Sequence, residues 1–232
     1  MKTEPTLSHG LIGAAVAVLA FAAQLSAQPI TGTAIPGGCA DPPKRPSEVG
    51  CYLSAVQPIE KLPDEPLFWH LYTYPTRASA EAAAKSEPTS TVAESLDKVW
   101  VFTIANAQWQ PAAGDRIAVI GPLPVPRAKE YVARYMEATF PPNQAMRTSV
   151  HRHSGGPEAW YVLTGAQCLR TPEQTIVLRA GEGGFVPSGP PMVLTSIGAE
   201  TRRALFLNLY DASHPWMTNT TEWTPTRECP PQ

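Results

Sequence analysis

The second half of the chain, residues 131–210, is a succession of short apolar segments separated by turn residues. Segments such as AWYVLTG, TIVLRAGEG and RALFLNLY are rich in β-branched and aromatic residues, and none shows the helical period of roughly 3.6 residues. No internal repeat of roughly 20 to 50 residues is present, which argues against a propeller or a solenoid. The pattern therefore predicts a compact antiparallel barrel or sandwich.

The first half predicts a smaller unit, called here the annex. Two aromatic runs bounded by prolines, CYLSAVQPI and LFWHLYTY, favour strands. The alanine-rich segment TRASAEAAAKSE predicts a helix with Thr76 as its N-cap that ends before Pro88. We therefore expect a β-α-β annex over residues 51–128 packed on the barrel, the barrel over residues 129–212, and a polar tail over residues 213–232.

The first 27 residues have the features of a secretory signal peptide. Lys2 lies near the start, an apolar run covers residues 11–25, and a small-residue end at Ala27 follows. The run is shorter than the roughly 20 apolar residues that a spanning helix needs, so we expect cleavage and no stable membrane insertion afterwards. Residues 28–50 are rich in proline and glycine and predict an extended lead-in. The protein is therefore expected to be exported, to the periplasm or the extracellular space.

The cysteines support disulfide formation if the chain is exported. The chain has four of them, Cys39, Cys51, Cys168 and Cys229. In an oxidising compartment two disulfides are expected, and the sequence does not choose among the three pairings. No two cysteines have the C-x-x-C spacing, which argues against redox catalysis or a zinc knuckle.

The charge balance limits the classes of partner. The net charge is -2, with basic and acidic residues mixed along the chain. Proteins that bind nucleic acid or anionic lipid usually carry a clear excess of basic residues. We therefore expect neither nucleic acid nor a membrane surface as a partner.

The stretch VHRHSGGPEAWYVLTG, residues 150–165, holds the candidate chemistry. On a strand, His151 and His153 project from the same face and Arg152 from the opposite one. After a glycine-rich turn, Glu158 begins the next strand and can face the same interior space. Two neutral imidazoles and one carboxylate suit iron or manganese, and also zinc or copper, and leave coordination positions open. The stretch predicts a metal site, and the competing interpretation is a surface hairpin that happens to hold two histidines.

The spacing of this stretch resembles the first signature of the cupin family, H-x-H-x(3,4)-E-x(6)-G. The match runs from His151 to Gly165, with Ala145 at the place of a preceding glycine. The second signature, G-x(5)-P-x-G-x(2)-H-x(3)-N, is matched in its first half within GEGGFVPSGPPMVLTS. It then departs, because Met192 replaces the fourth ligand histidine and Ser196 replaces the asparagine.

The resemblance implies a fold and a class of function. The fold would be mainly β, a cupin barrel (a double-stranded β-helix or jelly roll), with a small N-terminal β-α-β annex. Cupin relatives include dioxygenases, isomerases and decarboxylases, so the resemblance implies a divalent transition metal (Fe, Mn, Zn, Ni or Cu) and a small organic substrate. Glu158 would then act both as a metal ligand and as a catalytic proton acceptor. Cupins often dimerise through their barrel strands, so the resemblance also implies a homodimer.

Two other classes of function stay open. One is a non-catalytic module that binds or senses a small ligand, which the loss of the fourth ligand at Met192 favours. The other is a structural role like that of the seed-storage cupins, which the retained ligand triad disfavours. The metal site itself has three interpretations: three protein ligands with extra waters, a substitute ligand such as His70 or His214, or a metal-free hydrogen-bonded pocket.

Strand alternation predicts the surroundings of the site. If the strand is unbroken, Arg147 shares a face with His151 and holds an anionic group at the barrel entrance, although a solvated arginine is the alternative. Trp160 and Val162 share the face of Glu158 and would line the pocket, with packing as the first role of this stripe and recognition as the second. The residues interpreted as packing between the barrel and the annex are Tyr161, Leu163, Trp69, Trp100 and Trp109.

Overall fold

The computed structural model describes the backbone of residues 33–35 and the whole of residues 49–128, 130–143 and 146–229. The expected signal peptide, most of the lead-in, Cys39 and Ala145 lie outside the described residues. The described elements are β1 (Thr33–Ile35), β2 (Gly50–Ile59), β3 (Phe68–Tyr74), α1 (Arg77–Ala84), β4 (Ser90–Ser95), β5 (Lys98–Ala105), β6 (Asp115–Ile120), β7 (Tyr131–Phe140), β8 (Met146–Thr148), β9 (His151–Arg152), β10 (Glu158–Thr164), β11 (Ala166–Arg170), β12 (Thr175–Arg179), β13 (Gly183–Val186), β14 (Val193–Ile197), β15 (Arg202–Asp211) and β16 (Thr218–Asn219).

Two five-stranded sheets form the barrel, and the prediction of a mainly β fold is confirmed. The first sheet has the order β1-β8-β14-β11-β12 and the second the order β13-β10-β15-β7-β2. Apart from the parallel pair β1 and β8, their strands pair antiparallel. Short segments rich in β-branched and aromatic residues and separated by turn residues are typical of antiparallel ladders of this kind.

The inner faces of the two sheets share one apolar core. Leu169 and Leu194 from the first sheet pack with Trp160 and Phe206 from the second, and all four are buried. Full burial of one such side chain stabilises a fold by roughly 1.5–3 kcal/mol. The strand alternation that was used to assign inward-facing residues on β10 therefore holds for Trp160.

Strand β2 belongs to the barrel rather than to the annex. Its residues pair with β7 from Gly50 opposite Thr139 to Ile59 opposite Tyr131, and Cys51 joins the barrel core. The sequence boundary at residue 51 differs from this arrangement because strand propensity identifies a strand but not its partner. The separate sheet of the annex begins only at β3.

The annex is a four-stranded sheet, β4-β5-β3-β6, with α1 packed against it. The helix is confirmed: the Thr76 hydroxyl accepts a hydrogen bond from the Ser79 N–H at 3.2 Å, as an N-cap does. Trp69 and Trp100 are buried in a core shared with the outer face of the second barrel sheet, as expected. Trp109 differs, because it packs on the opposite, helix-bearing face of the annex sheet.

The C-terminal tail returns to the barrel. Strand β16 pairs with β9, and Cys229 forms a disulfide with Cys168 on β11. Cys51 is also disulfide-bonded. Within the described residues, no helix has the length and apolar character needed to cross a bilayer.

Candidate metal centre

Two neighbouring strands and the turn between them present the candidate ligands. His151 lies on β9, His153 is the first residue after β9, and Glu158 is the first residue of β10. The turn between them lies close against β15, since a Cβ atom on Gly156 would lie 1.9 Å from the Leu209 carbonyl oxygen. Only glycine allows so close an approach of two backbones, so the glycine-rich turn fixes the relative position of the ligands.

The structure brings His151, His153 and Glu158 together in the barrel interior. One ligand atom from each lies within 4.8 Å of the others. The side chains are almost completely buried, with exposed fractions of 3%, 2% and 5% in that order. The two imidazole rings stand nearly perpendicular with their centroids 5.0 Å apart. Three buried, convergent donors are a geometry that a surface hairpin does not produce.

Backbone carbonyl groups fix the tautomer of both imidazoles. The Nδ1 atom of His151 lies 2.8 Å from the Ser149 carbonyl oxygen, and that of His153 lies 2.5 Å from the Trp216 carbonyl oxygen. A carbonyl oxygen only accepts hydrogen bonds, so each Nδ1 carries the proton and each neutral ring keeps its lone pair on Nε2. Second-sphere carbonyl groups orient metal-binding histidines in this way.

Glu158 is held from two sides. Its Oε1 atom accepts a hydrogen bond from the Asn208 amide at 3.0 Å, and its Oε2 atom lies 3.2 Å from the His153 Nε2 atom. Burial alone would raise the pKa of this carboxyl, but the two imidazoles and the Asn208 amide together hold its pKa below the usual value. Glu158 is therefore an ionised carboxylate inside an apolar barrel.

The two imidazoles differ in charge preference. Burial, together with the neighbouring His153, lowers the pKa of His151, which keeps this ring neutral. Burial also acts to lower the pKa of His153, but the Glu158 carboxylate outweighs it and raises the pKa. The Glu158 carboxylate therefore favours the protonated form of the His153 ring, whereas the pKa of the His151 ring is shifted the other way.

The donor set fits a divalent transition metal. The His153 Nε2 atom is buried and lacks a hydrogen bond of normal geometry, although it lies close to the Glu158 carboxylate. An orphaned ring nitrogen, a second imidazole and a carboxylate that converge on one point are the ligands that such a cation prefers. These three residues would hold the ion through two nitrogen atoms and one oxygen atom.

Met192 lies beside this group, where the second cupin signature has a histidine. It forms an isolated β-bridge with His151 and is only 1% exposed. Its side chain is part of the apolar barrel core. The alignment that placed Met192 opposite the ligand pair is therefore consistent with the structure, and a thioether stands there instead of an imidazole.

The two candidate substitute ligands do not join the group. His70 is buried on the helix-bearing face of the annex sheet, where its Nε2 atom lies 2.8 Å from the Asn106 carbonyl oxygen and its ring packs on Trp109. His214 is exposed and pairs with Asp211. Strand propensity alone did not show that the annex sheet turns its His70 face away from the barrel.

Arg147 does not lie at the pocket. It is opposite Thr195 on the first sheet, on the face that also carries Cys168, whereas Thr148 lines the cavity. The prediction depended on an unbroken strand, but strand pairing stops after Thr148 and resumes only at His151. The two intervening residues reverse the alternation and place Arg147 on the outer face.

The residues that follow Glu158 on β10 alternate between the barrel interior and its outer face, as expected. Trp160 and Val162 are fully buried in the barrel core, next to the cavity rather than on its wall. Tyr161 and Leu163 face outward and pack against the core that the barrel shares with the annex. Trp160 thus has the packing role that was expected first, and it is not among the residues that line the cavity.

A cavity of about 40 Å³ adjoins the ligands. Its walls include His151 and Glu158 together with the side chains Phe140, Phe206, Trp216 and Met217. The walls are mostly apolar, and the polar residues on them are Thr148, Ser149, His151 and Glu158.

Three residues near the site were not singled out in the sequence. Asn208 orients Glu158, Trp216 covers His153, and Arg202 lies buried with its guanidinium 4.9 Å from the rings of Phe140 and Phe206. Two of them had a signal in the sequence: Asn208 is a polar residue within the apolar segment RALFLNLY, and Trp216 is an aromatic residue in a polar tail. Arg202 directly precedes that segment and had no such signal.

Comparison with known proteins gives a likeness of fold. No protein-family model matches the sequence, and no curated protein matches it. Several similar solved structures are described as cupin proteins, and each matches only about a third of this chain. A cupin superfamily protein from Desulfitobacterium hafniense matches with a TM-score of 0.30 and 16% identity, over 34% of this chain and 68% of that one. A cupin-2 domain protein from Shewanella frigidimarina matches with a TM-score of 0.28 and 19% identity, over 32% and 68%. An oxalate oxidase matches with a TM-score of 0.32 and 17% identity, over 38% and 45%.

Proposed function

We propose that this is an exported protein that binds a divalent transition metal through His151, His153 and Glu158 and acts on a small organic molecule. The chemistry proposed is dioxygenase-like or isomerase-like. The observation that supports it is the convergence of three buried ligand atoms within 4.8 Å of one another.

The residues of the site have separate roles in this proposal. A bound divalent ion would supply a Lewis acid that polarises an oxygen atom of the ligand. His151 and His153 direct Nε2 lone pairs, since their Nδ1 protons are donated to backbone carbonyl groups. Glu158 is the ionised carboxylate that faces the cavity, so it is the group that would accept a proton from the ligand.

Export is proposed from the N-terminal sequence and from the cysteines. The leader-like residues 1–27 lie outside the described residues, and the Cys168–Cys229 disulfide supports an oxidising compartment. The implied homodimer and the expected lack of nucleic-acid and membrane partners stay predictions.

A second candidate function is a non-catalytic module that binds a small ligand. Met192 favours it, because the position of a fourth ligand is occupied by a buried thioether in the apolar core. A site with three protein ligands still leaves positions open for water and substrate, which is why the metal-dependent function is placed first.

Metal analysis of the purified mature protein tests the proposal. We expect one equivalent of metal in the wild-type protein after growth with iron, manganese, copper, nickel and zinc, and its loss in His151→Ala and Glu158→Ala. His214→Ala is the matched control and should keep the metal, because His214 is exposed and outside the ligand group. A wild-type protein without metal would overturn the proposal. A loaded protein that binds a ligand without consuming ligand or oxygen would favour the binding module.

A further inference from the structure

The C-terminal segment, residues 213–229 and called here the strap, lies across the ligand pair. Strand β16 pairs with β9, with Asn219 opposite His151. The Thr220 N–H donates to the Val150 carbonyl oxygen at 3.0 Å, and the Ser149 hydroxyl donates to the Asn219 side-chain oxygen at 2.7 Å. The strap is therefore attached to the same short stretch of backbone that carries the first metal ligand.

Further contacts hold the distal part of the strap. Glu222 forms an ion pair with Arg152, and the Arg170 guanidinium donates to the Arg227 carbonyl oxygen at 3.0 Å. Cys229 is joined covalently to Cys168 on the first barrel sheet. The disulfide fixes one end of the strap, while the part over the cavity is held by non-covalent contacts.

Trp216 and Met217 are the strap residues that meet the cavity. The Trp216 carbonyl oxygen accepts the hydrogen bond from His153, and its ring lies 6.1 Å from the His153 ring. The Arg134 guanidinium stacks on the Trp216 ring with its central carbon 4.8 Å from the ring centroid. Trp216 is thus fixed by its backbone on one side and by its ring on the other.

The cavity that Trp216 and Met217 leave beside the ligands is small. A cavity of about 40 Å³ holds about three waters, since one water needs about 10–15 Å³ on the same measure. A ligand with an aromatic ring or a long chain does not fit while Trp216 and Met217 stay in place. The cavity widens only if these side chains move or are removed.

We propose that Trp216 and Met217 are the residues that set ligand size, so that the closed strap restricts the site to ligands of a few non-hydrogen atoms. This inference rests on the proposed function in that the ligand binds beside the metal. Larger ligands enter only when the strap lifts from β9. Lifting is a local event that leaves the paired strands of the barrel in place. It breaks a two-residue strand pairing and polar contacts worth about 0.5–1.5 kcal/mol each, together with the contacts of Trp216 with His153 and Arg134.

A pair of probe anions tests the size limit on the cobalt-loaded protein. Azide is a linear triatomic anion and benzoate carries an aromatic ring, and both are detected by the visible spectrum of Co²⁺. We expect the wild-type protein to bind azide and exclude benzoate. Trp216→Ala/Met217→Ala should bind benzoate at least about tenfold more tightly than wild type and azide within about threefold.

Trp223→Ala is the matched control, because Trp223 lies on the same strap but is not among the residues that line the cavity. It should keep the wild-type exclusion of benzoate. Met217→Ala alone removes less buried surface and should shift benzoate binding in the same direction if the double variant does not fold. Equal benzoate affinity in wild type and in the cavity variants would overturn the inference while leaving the metal site in place.

A metal-free measurement separates this inference from the proposed function. Diethyl pyrocarbonate modifies accessible imidazoles, and mass spectrometry reports each histidine separately. In the metal-free protein His151 and His153 should react slowly, with exposed His214 as the internal reference. Trp216→Ala/Met217→Ala should increase their rate by about tenfold, since it opens the cover. Unchanged rates would overturn the strap as a cover even if the protein binds no metal at all.

Discussion

His151 and Met192 exchange two backbone hydrogen bonds, from the His151 N–H to the Met192 oxygen at 3.0 Å and from the Met192 N–H to the His151 oxygen at 2.7 Å. Directly opposed residues of an antiparallel pair present their side chains on the same face. The methionine side chain therefore points to the side of the backbone on which the His151 imidazole lies. The backbone therefore brings position 192 to the face of the candidate ligand His151, with a thioether where the cupin signature has an imidazole.

Met192→His is therefore expected to add a ligand. The affinity for Zn²⁺ or Co²⁺ should rise by about tenfold or more, since an imidazole binds these ions far better than a thioether does. Competition with a chelator measures the change. Met192→Leu is the control, because it keeps the volume without adding a ligand and should stay near the wild-type affinity. Equal affinities for the two variants would show that position 192 does not face the ligands.

The candidate ligands could be predicted because they depend on local geometry. His151, His153 and Glu158 lie on and beside two consecutive strands joined by a short turn, where strand alternation and the turn determine which side chains converge. Arg147 could not be placed, because two unpaired residues after β8 reverse the alternation. Asn208 could not be placed either, since it meets Glu158 across a strand pair fifty residues apart in sequence.

The fold, like the site, could be predicted only where it depends on local sequence. The mainly β character and the helix after Thr76 follow from local propensity and capping. The pairing of β2 with β7 and of β16 with β9 joins segments that are distant in sequence. Which partner a strand finds is decided by the whole sheet, so neither the annex boundary nor the cover over the site was visible in the sequence.

Asn208→Ala is expected to weaken metal binding. The Asn208 amide donates to the Glu158 Oε1 atom at 3.0 Å and is fully buried, so it fixes the orientation of the carboxylate. Loss of an outer-sphere partner of this kind lowers metal affinity by about 10- to 100-fold. Asn106→Ala is the control, because it removes an amide that donates to Glu65 in the annex, away from the ligands. Equal metal affinity in Asn208→Ala and in the control variant would contradict this prediction.

Arg202 is expected to destabilise the barrel at neutral pH. It is fully buried, its Nε atom donates to Gln167 at 2.8 Å, and both terminal nitrogens lack a hydrogen-bond partner. Burial lowers the pKa of Arg202 to about 9. The Gln167 amide nitrogen is also buried without a partner. Removing the charge alone would leave the Gln167 oxygen unpaired, so both residues must be replaced together.

Arg202→Met/Gln167→Leu should therefore raise the free energy of unfolding at pH 7 by about 1–3 kcal/mol, as replacement of buried charges by apolar side chains often does. Urea unfolding measures the change. Arg203→Met is the control: it breaks the exposed pair with Asp97 and should change stability by less than about 1 kcal/mol. A less stable double variant would show that stacking on Phe140 and Phe206 outweighs the desolvation of the charge.

His70 is expected to make the annex sensitive to acid. Burial lowers the pKa of His70 below its ordinary value of 6.5, although the hydrogen bond to the Asn106 carbonyl oxygen opposes the shift. Below pH 6.5 the unfolded chain binds a proton at this position and the folded chain does not. The free energy of unfolding therefore falls as the pH drops from 6.5 towards the lowered pKa, by at most about 1.4 kcal/mol per pH unit.

His70→Gln should remove this contribution, because a glutamine amide can still donate to the Asn106 carbonyl oxygen but does not titrate. Urea unfolding of each protein is measured at a pH just above 6.5 and at a pH one unit below 6.5, and the difference is the loss of stability. His151 and His153 contribute equally to this loss in wild type and in His70→Gln, so their contributions cancel when the two proteins are compared. The loss should be smaller in His70→Gln than in wild type by up to about 1.4 kcal/mol. His214→Gln, at an exposed site, should behave as wild type. An unchanged loss in His70→Gln would mean that the folded annex accepts a proton at His70 as readily as the unfolded chain does.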